Sequence, residues 1–227
     1  MHATRKLRWS AAVLTLVVAG VGCNPLTLPF FMMYGVESKV EPDFRLAVPD
    51  KEVKVVVLAY SAPDVQTDQV GIDRQIGSVV AKQLAERCLA NKEKVKVVPV
   101  HKVEKFKSDH PGWKTMGAVE IGKQFEADFV IDIEVVGLNL YEPGSHKSLY
   151  RGRCKIDLAV FDVRKPHDGA VIKPSMTIDY PTKARGPIPV MDDNNTEKFR
   201  DGFVNRIATD VCWKLTSHLY SEEYQLE

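Results

Sequence analysis

The residue types that could hold a metal or move a proton are scattered along this chain. Of six histidines, His101, His110, His146 and His167 fall in or beside turns, where a solvated imidazole is the default. A zinc set would require the fold to collect them from distant loops. His218 lies near the end of the last predicted helix and reads as a charge favourable to a helix C-terminus when protonated. Asp132, Glu134 and Asp157 sit on strand faces opposite the apolar one. There a general acid/base pair competes with a solvated sheet face in which Lys155 is the cross-strand partner, and the solvated face is the expectation. The chain has no Gly-x-Ser-x-Gly elbow, phosphate loop or HExxH motif. An exported enzyme would need a site assembled from loop residues such as Asp109, His110, His167 and Asp168. No catalytic, metal or cofactor residue is assigned.

Cysteine chemistry points elsewhere. Arg5, Lys6 and Arg8 precede an apolar run of 12 residues, Ala11 to Gly22, which ends at Cys23 behind small residues. A membrane-spanning helix needs ~20 apolar residues, so residues 1–22 read as an export signal. Gly20-Val21-Gly22-Cys23 resembles the lipobox of bacterial lipoproteins, with Gly20 where a larger apolar residue is usual. The resemblance implies cleavage before Cys23 and acylation of that cysteine; a plain signal peptide is the alternative. Asn24, in place of an aspartate, favours the outer membrane over the inner. If Cys23 carries lipid, Cys88, Cys154 and Cys212 remain, an odd number that allows at most one disulfide. Their places in predicted helices and a strand favour buried thiols.

Without residues 1–22 the 227-residue chain keeps about 205, with about 28 basic against 30 acidic side chains. That suits one domain with a sizeable core, and no basic excess or basic–aromatic patch points to nucleic acid. NPLTLPFFMMYGV after Cys23 is apolar but broken by Pro25 and Pro29. Phe30, Phe31 and Tyr34 there either anchor shallowly at a membrane interface or pack on the domain. Residues 37–52 read as linker, which makes 23–52 a tether, 53–220 a single α/β domain and 221–227 a tail.

The elements that position the polar residues follow from periodicity. VKVVVLAY (53–60) is a strand buried on both faces, and SAPDVQTD a loop. Ile72, Ile76, Val79, Val80, Leu84, Cys88 and Leu89 mark one face of a helix of roughly five turns. Val95 to Val100 is a strand pushed to the sheet edge by Pro99, and His101 to Lys107 a short helix or turn. A helix from about Thr115 to Glu126 leads to a strand from Phe129 to about Leu140, whose apolar phase changes beside Gly137 and predicts a bulge. CKIDLAVFDV (154–163) forms a hairpin with it, and SMTIDY (175–180) is the third strand of a meander. PTKARGPIPVM (181–191), with three prolines, is irregular. Asn194 to Glu197 has the spacing of a capping box, and Phe199, Phe203, Ile207, Val211, Leu215 and Leu219 make a last helix with an apolar stripe. The expected fold is α/β (α+β): a mixed sheet of about five strands, packed by two long helices and one or two short ones.

The stretch IGKQFEADFVIDIEV, with the hairpin, the glycine-ended loop at His167-Asp168-Gly169 and the third strand after it, resembles a group of envelope lipoprotein domains. These are the curli-secretion lipoproteins of CsgG type, the penicillin-binding-protein activators of LpoB type and the amino-terminal domain of TolB. By element order the resemblance spans roughly Val53 to Tyr180. It implies a non-enzymatic, periplasm-facing domain held at a membrane by acylated Cys23 and recruiting or supporting a protein partner. No paired ~10-residue lipid-facing strands are evident, so a soluble recruiting use fits better than a ring-forming secretion pore. Self-association and an exported enzyme stay as alternatives.

Two features are candidates for the partner. One is the hairpin tip with Tyr141, Pro143, His146 and Tyr150. The other is the loop with Arg185, Pro187 and Pro189, whose prolines preorganise an extended segment.

Overall fold

A computed structural model describes residues 38–191 and 193–225. The export signal, Cys23 and the segment with Phe30, Phe31 and Tyr34 lie outside the described residues. The elements in chain order are β1 (Lys39–Val40), β2 (Val53–Ser61), α1 (Pro63–Asp68), α2 (Ile72–Ala90), β3 (Val95–Val97), α3 (Val100–Asp109), a 3-10 turn at Trp113–Thr115, α4 (Ala118–Gln124), β4 (Phe129–Tyr141) and β5 (Leu149–Asp162). They continue with β6 (Ala170–Ile172), β7 (Ser175–Tyr180), β8 (Ile188–Pro189), α5 (Asp193–Trp213), β9 (His218–Leu219) and α6 (Tyr220–Gln225).

The architecture is the expected α+β one. Seven strands form an open mixed sheet in the order β3-β2-β4-β5-β6, with β7 and β8 also paired to β5, and β1 and β9 form a separate pair. The five strands read from the sequence are β2, β3, β4, β5 and β7; β6 and β8 are too short to show a period. Pairing is parallel on both sides of β2 and antiparallel from β4 onward. Central β2 is buried on both faces, Val53, Val55, Val57 and Ala59 toward one layer and Val56 and Leu58 toward the other. That is why its apolar run does not alternate.

The thicker layer is α2 and α5. Ile76, Val80, Leu84 and Cys88 from α2 meet Phe203, Ile207, Val211 and Cys212 from α5 over the sheet. Close approach of the sheet to α5 depends on Gly152, where an added Cβ would lie 2.7 Å from the Phe203 ring. The thinner layer, on the opposite face, is α3, the 3-10 turn and α4, which bring Val103, Trp113 and Ile121 onto Val130 and Val163. The phase change in β4 is a register shift between Val135 and Gly137. It returns Leu138 and Leu140 to the thicker core.

Several expectations are corrected. The stretch 37–52 is not a free linker: Lys39 and Val40 pair with Leu219 and His218, and the Phe44 amide donates to the Lys214 carbonyl at 3.1 Å. Leu46 is fully buried, and the Phe44 ring meets Phe129 edge-on at 5.4 Å. Two apolar side chains among charges suffice to seal the core there. The last helix stops at Trp213, where the Thr216 hydroxyl and amide both bond the Cys212 carbonyl. His218 is therefore a strand residue, 6% exposed and stacked on Trp213 at 4.4 Å, not a helix-end charge. The supposed tail contributes α6, in which Glu222 pairs with Arg87 at 2.9 Å. SAPDVQTD contains α1, opened by Pro63 at a position where a missing N–H costs nothing. Asn194 lies inside α5, which begins at Asp193. Lys155 faces Gly137 and Thr177, whereas Asp157 faces Glu134 and Ser175, so the expected cross-strand ion pair does not form. Among the described residues, no helix is long and apolar enough to cross a membrane.

Candidate functional site

The β4–β5 hairpin closes above the pair Tyr141↔Tyr150. Its turn is fastened by three backbone bonds, Glu142 N–H to Leu149 carbonyl at 2.9 Å, Ser145 N–H to Glu142 carbonyl at 3.1 Å and Ser148 N–H to Ser145 carbonyl at 3.0 Å. The reversal needs left-handed backbone at Gly144 (φ 79°), His146 (φ 49°) and Lys147 (φ 64°). At the latter two, side chains occupy a region that favours glycine. Pro143, His146 and Lys147 are exposed.

The proline-rich loop returns to this same end of the sheet. Ile188 and Pro189 pair with Tyr150 and Leu149, and the Val190 amide donates to the Ser148 carbonyl at 2.9 Å. From the first turn of α5, Asn195 Nδ2 donates to the Pro189 carbonyl at 3.1 Å. Two features read separately in the sequence thus form one surface. Arg185, Pro187 and Pro189 are exposed on it. Sequence reasoning missed Val190 and Met191, 36% and 79% exposed; the available signal was an apolar pair at the end of a segment with no helical or strand period. Lys147 on the tip and Lys183 and Arg185 on the loop are exposed basic residues. Glu142 at the base of the tip is held by Arg151 at 3.1 Å.

One predicted contact residue is corrected. Tyr150 is fully buried, stacked between Tyr141 at 5.4 Å and Phe199 at 4.6 Å, and its hydroxyl is hydrogen-bonded to Thr196. Tyr141 is half-buried, and burial, then the neighbouring Tyr150, raises its phenol above the ordinary value. The aromatic pair that seemed to flank a projecting tip is the footing on which the tip stands. An alternating strand pattern does not distinguish the last core rung from the first exposed one.

The remaining candidates do not converge. His110 bonds the Phe106 carbonyl through Nδ1 at 3.0 Å and stacks on the Phe106 ring, Asp109 lies within 4.0 Å of Lys105, and His167 and Asp168 stand in the β5–β6 turn. Among the described residues no group of three or more His, Cys, Asp or Glu is placed to hold a metal ion. Cys88, Cys154 and Cys212 are buried free thiols, and burial pushes each up to about 12. Asp132 is half-buried; burial first, then the Glu134 charge, raises its carboxyl to about 6.

The site's position is set by the long elements. Helix α5 starts beside the tip and ends where β9 pairs with β1, so the described chain begins at the end of the domain opposite the tip. Strand β4 has 13 residues and at ~3.3 Å per residue spans about 43 Å between the two ends.

No family model matches the chain, and no curated protein sequence matches it. Solved structures similar to it include the PelC dodecamer from Paraburkholderia phytofirmans, with a TM-score of 0.43 and 13% identity over 79% of this chain and 96% of that one. Lipoprotein GNA1162 from Neisseria meningitidis has a TM-score of 0.43 and 14% identity, covering 69% of this chain and 99% of that one. A minor lipoprotein from Acinetobacter baumannii has a TM-score of 0.34 and 8% identity, covering 71% and 90%. Bacterial lipoproteins are thus among its structural neighbours, at a likeness that assigns no function.

Proposed function

We propose that this chain is a membrane-anchored envelope lipoprotein, tethered through acylated Cys23 to the periplasm-facing side of the outer membrane, and that it recruits a protein partner without catalysing a reaction. The domain is read as a soluble recruiting module of the CsgG, LpoB and TolB type. The observation that carries the reading is the convergence of the hairpin tip and the proline-rich loop into one surface with exposed Val190 and Met191, about 43 Å of strand away from the end of the domain that carries Lys39. An anchor joined to the chain ahead of Lys39 would leave a surface at the far end of the domain free for a partner.

Photo-crosslinking in intact cells tests it. A crosslinkable residue at Met191 or Pro143 is expected to capture the same envelope protein, and one at Leu89, 79% exposed in the last turn of α2, is not. Capture from Leu89 alone, or from no position, overturns the recruiting surface. The mass of the mature amino terminus tests the anchor separately: an unmodified Cys23, or cleavage elsewhere, removes it.

A further inference from the structure

We propose that the small cavity between β2, β4 and the 3-10 turn receives the ammonium end of a lysine side chain from a partner protein. The cavity measures about 80 Å³, whereas small-molecule sites run to about 300–1,000 Å³ and one water takes about 30 Å³. It is the size of one side-chain end. Tyr60 and Trp113 form two walls, their ring centroids 5.9 Å apart and their planes at 77°. Leu58 and Ile121 supply an apolar lining, and Asp132 brings a carboxylate to the same space. An aliphatic stem on the apolar lining, with its charge directed at two ring faces and one carboxylate, is the arrangement that selects an alkylammonium.

The rings already attract cations from this chain. Lys107 Nζ lies 5.0 Å from the Trp113 ring centroid and Lys114 Nζ 5.8 Å from that of Tyr60. Lys107 is fixed, donating to the Ala59 carbonyl at 2.8 Å and to Glu104 at 3.0 Å. Lys114 is exposed and makes no ion pair among the described residues, so it is the occupant that a partner's lysine would displace. Beyond Asp132, Glu134 accepts a long hydrogen bond from the Tyr60 hydroxyl at 3.5 Å. Burial and the Glu134 charge destabilise the Asp132 carboxylate, a hydrogen bond from Tyr60 and the charges of Lys107 and Lys173 only partly offset this, and an arriving cation adds to the offset. A neutral side chain of the same length gains only the apolar contact. The proposal does not depend on the anchor or on the tip surface.

The test is a chemical-shift titration of the full mature chain with acetyl-Gly-Lys-Gly-amide, the same peptide carrying norleucine for lysine, and ethylammonium. The lysine peptide is expected to shift the Trp113 indole and Tyr60 ring signals with millimolar affinity, and the norleucine peptide to leave them in place. Lys114→Met should tighten binding severalfold, and Asp132→Asn should weaken it about tenfold, the worth of one charged contact. Wild-type binding should strengthen as pH rises through about 6, where Asp132 loses its proton, a readout that holds even if a variant folds poorly. Equal shifts from the norleucine peptide, or pH-independent binding, overturn the proposal. Ethylammonium binding as tightly as the lysine peptide makes the site one for a small amine and overturns the partner assignment.

Discussion

Glu134 on β4 and Asp157 on β5 stand directly opposite each other in the antiparallel ladder. Like charges at that spacing oppose pairing, whereas opposite charges contribute roughly 0.2–1 kcal/mol. Asp157→Lys is therefore expected to raise stability by about 0.5–1 kcal/mol, read as a higher urea midpoint at unchanged slope. The gain should shrink in high salt; a lower midpoint contradicts the pairing.

Asp132 predicts a pH dependence of definite sign. Burial and the Glu134 charge push its folded carboxyl up to about 6, above the ordinary aspartate value of ~3.9, so the folded state holds the proton more tightly than the unfolded one. This contribution favours folding below pH ~4 and is lost as pH rises through about 6. Asp132→Asn should stabilise by about 1–2 kcal/mol at pH 7.5 and by little at pH 4. Equal effects at both pH values in thermal melts count against the burial argument.

The division between tip and footing is separable by mutation. Tyr150→Ala removes a fully buried ring and should cost about 3–5 kcal/mol. Met191→Ser alters an exposed side chain and should change stability by less than ~0.5 kcal/mol while abolishing capture of the partner from Pro143. Loss of stability in the second variant would make Met191 structural.

Cys88, Cys154 and Cys212 should resist alkylation in the folded protein at pH 8, since burial raises each thiol to about 12 and the thiolate is the reactive form. All three should react in denaturant. Mass spectrometry after iodoacetamide gives the count, and a native-state adduct on any of them contradicts the burial.

Much of the fold was legible because its central elements carry long, regular patterns. Val53 to Tyr60 could only be a strand buried on both faces, and the change of phase beside Gly137 marked the bulge. The elements that escaped are set by distant partners. Lys39 and Val40 have no strand signature and pair because His218 and Leu219 stand opposite them. Ile188 becomes a strand residue because Tyr150 continues β5 toward the tip. For the site, Pro143, His146, Arg185, Pro187 and Pro189 are exposed at the end where they converge, but their convergence depends on β8, and the burial of Tyr150 depends on Phe199 from α5.

The β1–β9 pair has a mechanical consequence. On the proposed function, tension between a partner at the tip and an anchor on the amino-terminal side would enter the domain at Lys39, through a ladder of two residue pairs, before it reached the sheet. That ladder peels first, then the Phe44 contacts, with fully buried Leu46 as the next catch. Under such a load the stretch ahead of Val53 would lengthen first and leave the seven-stranded sheet intact.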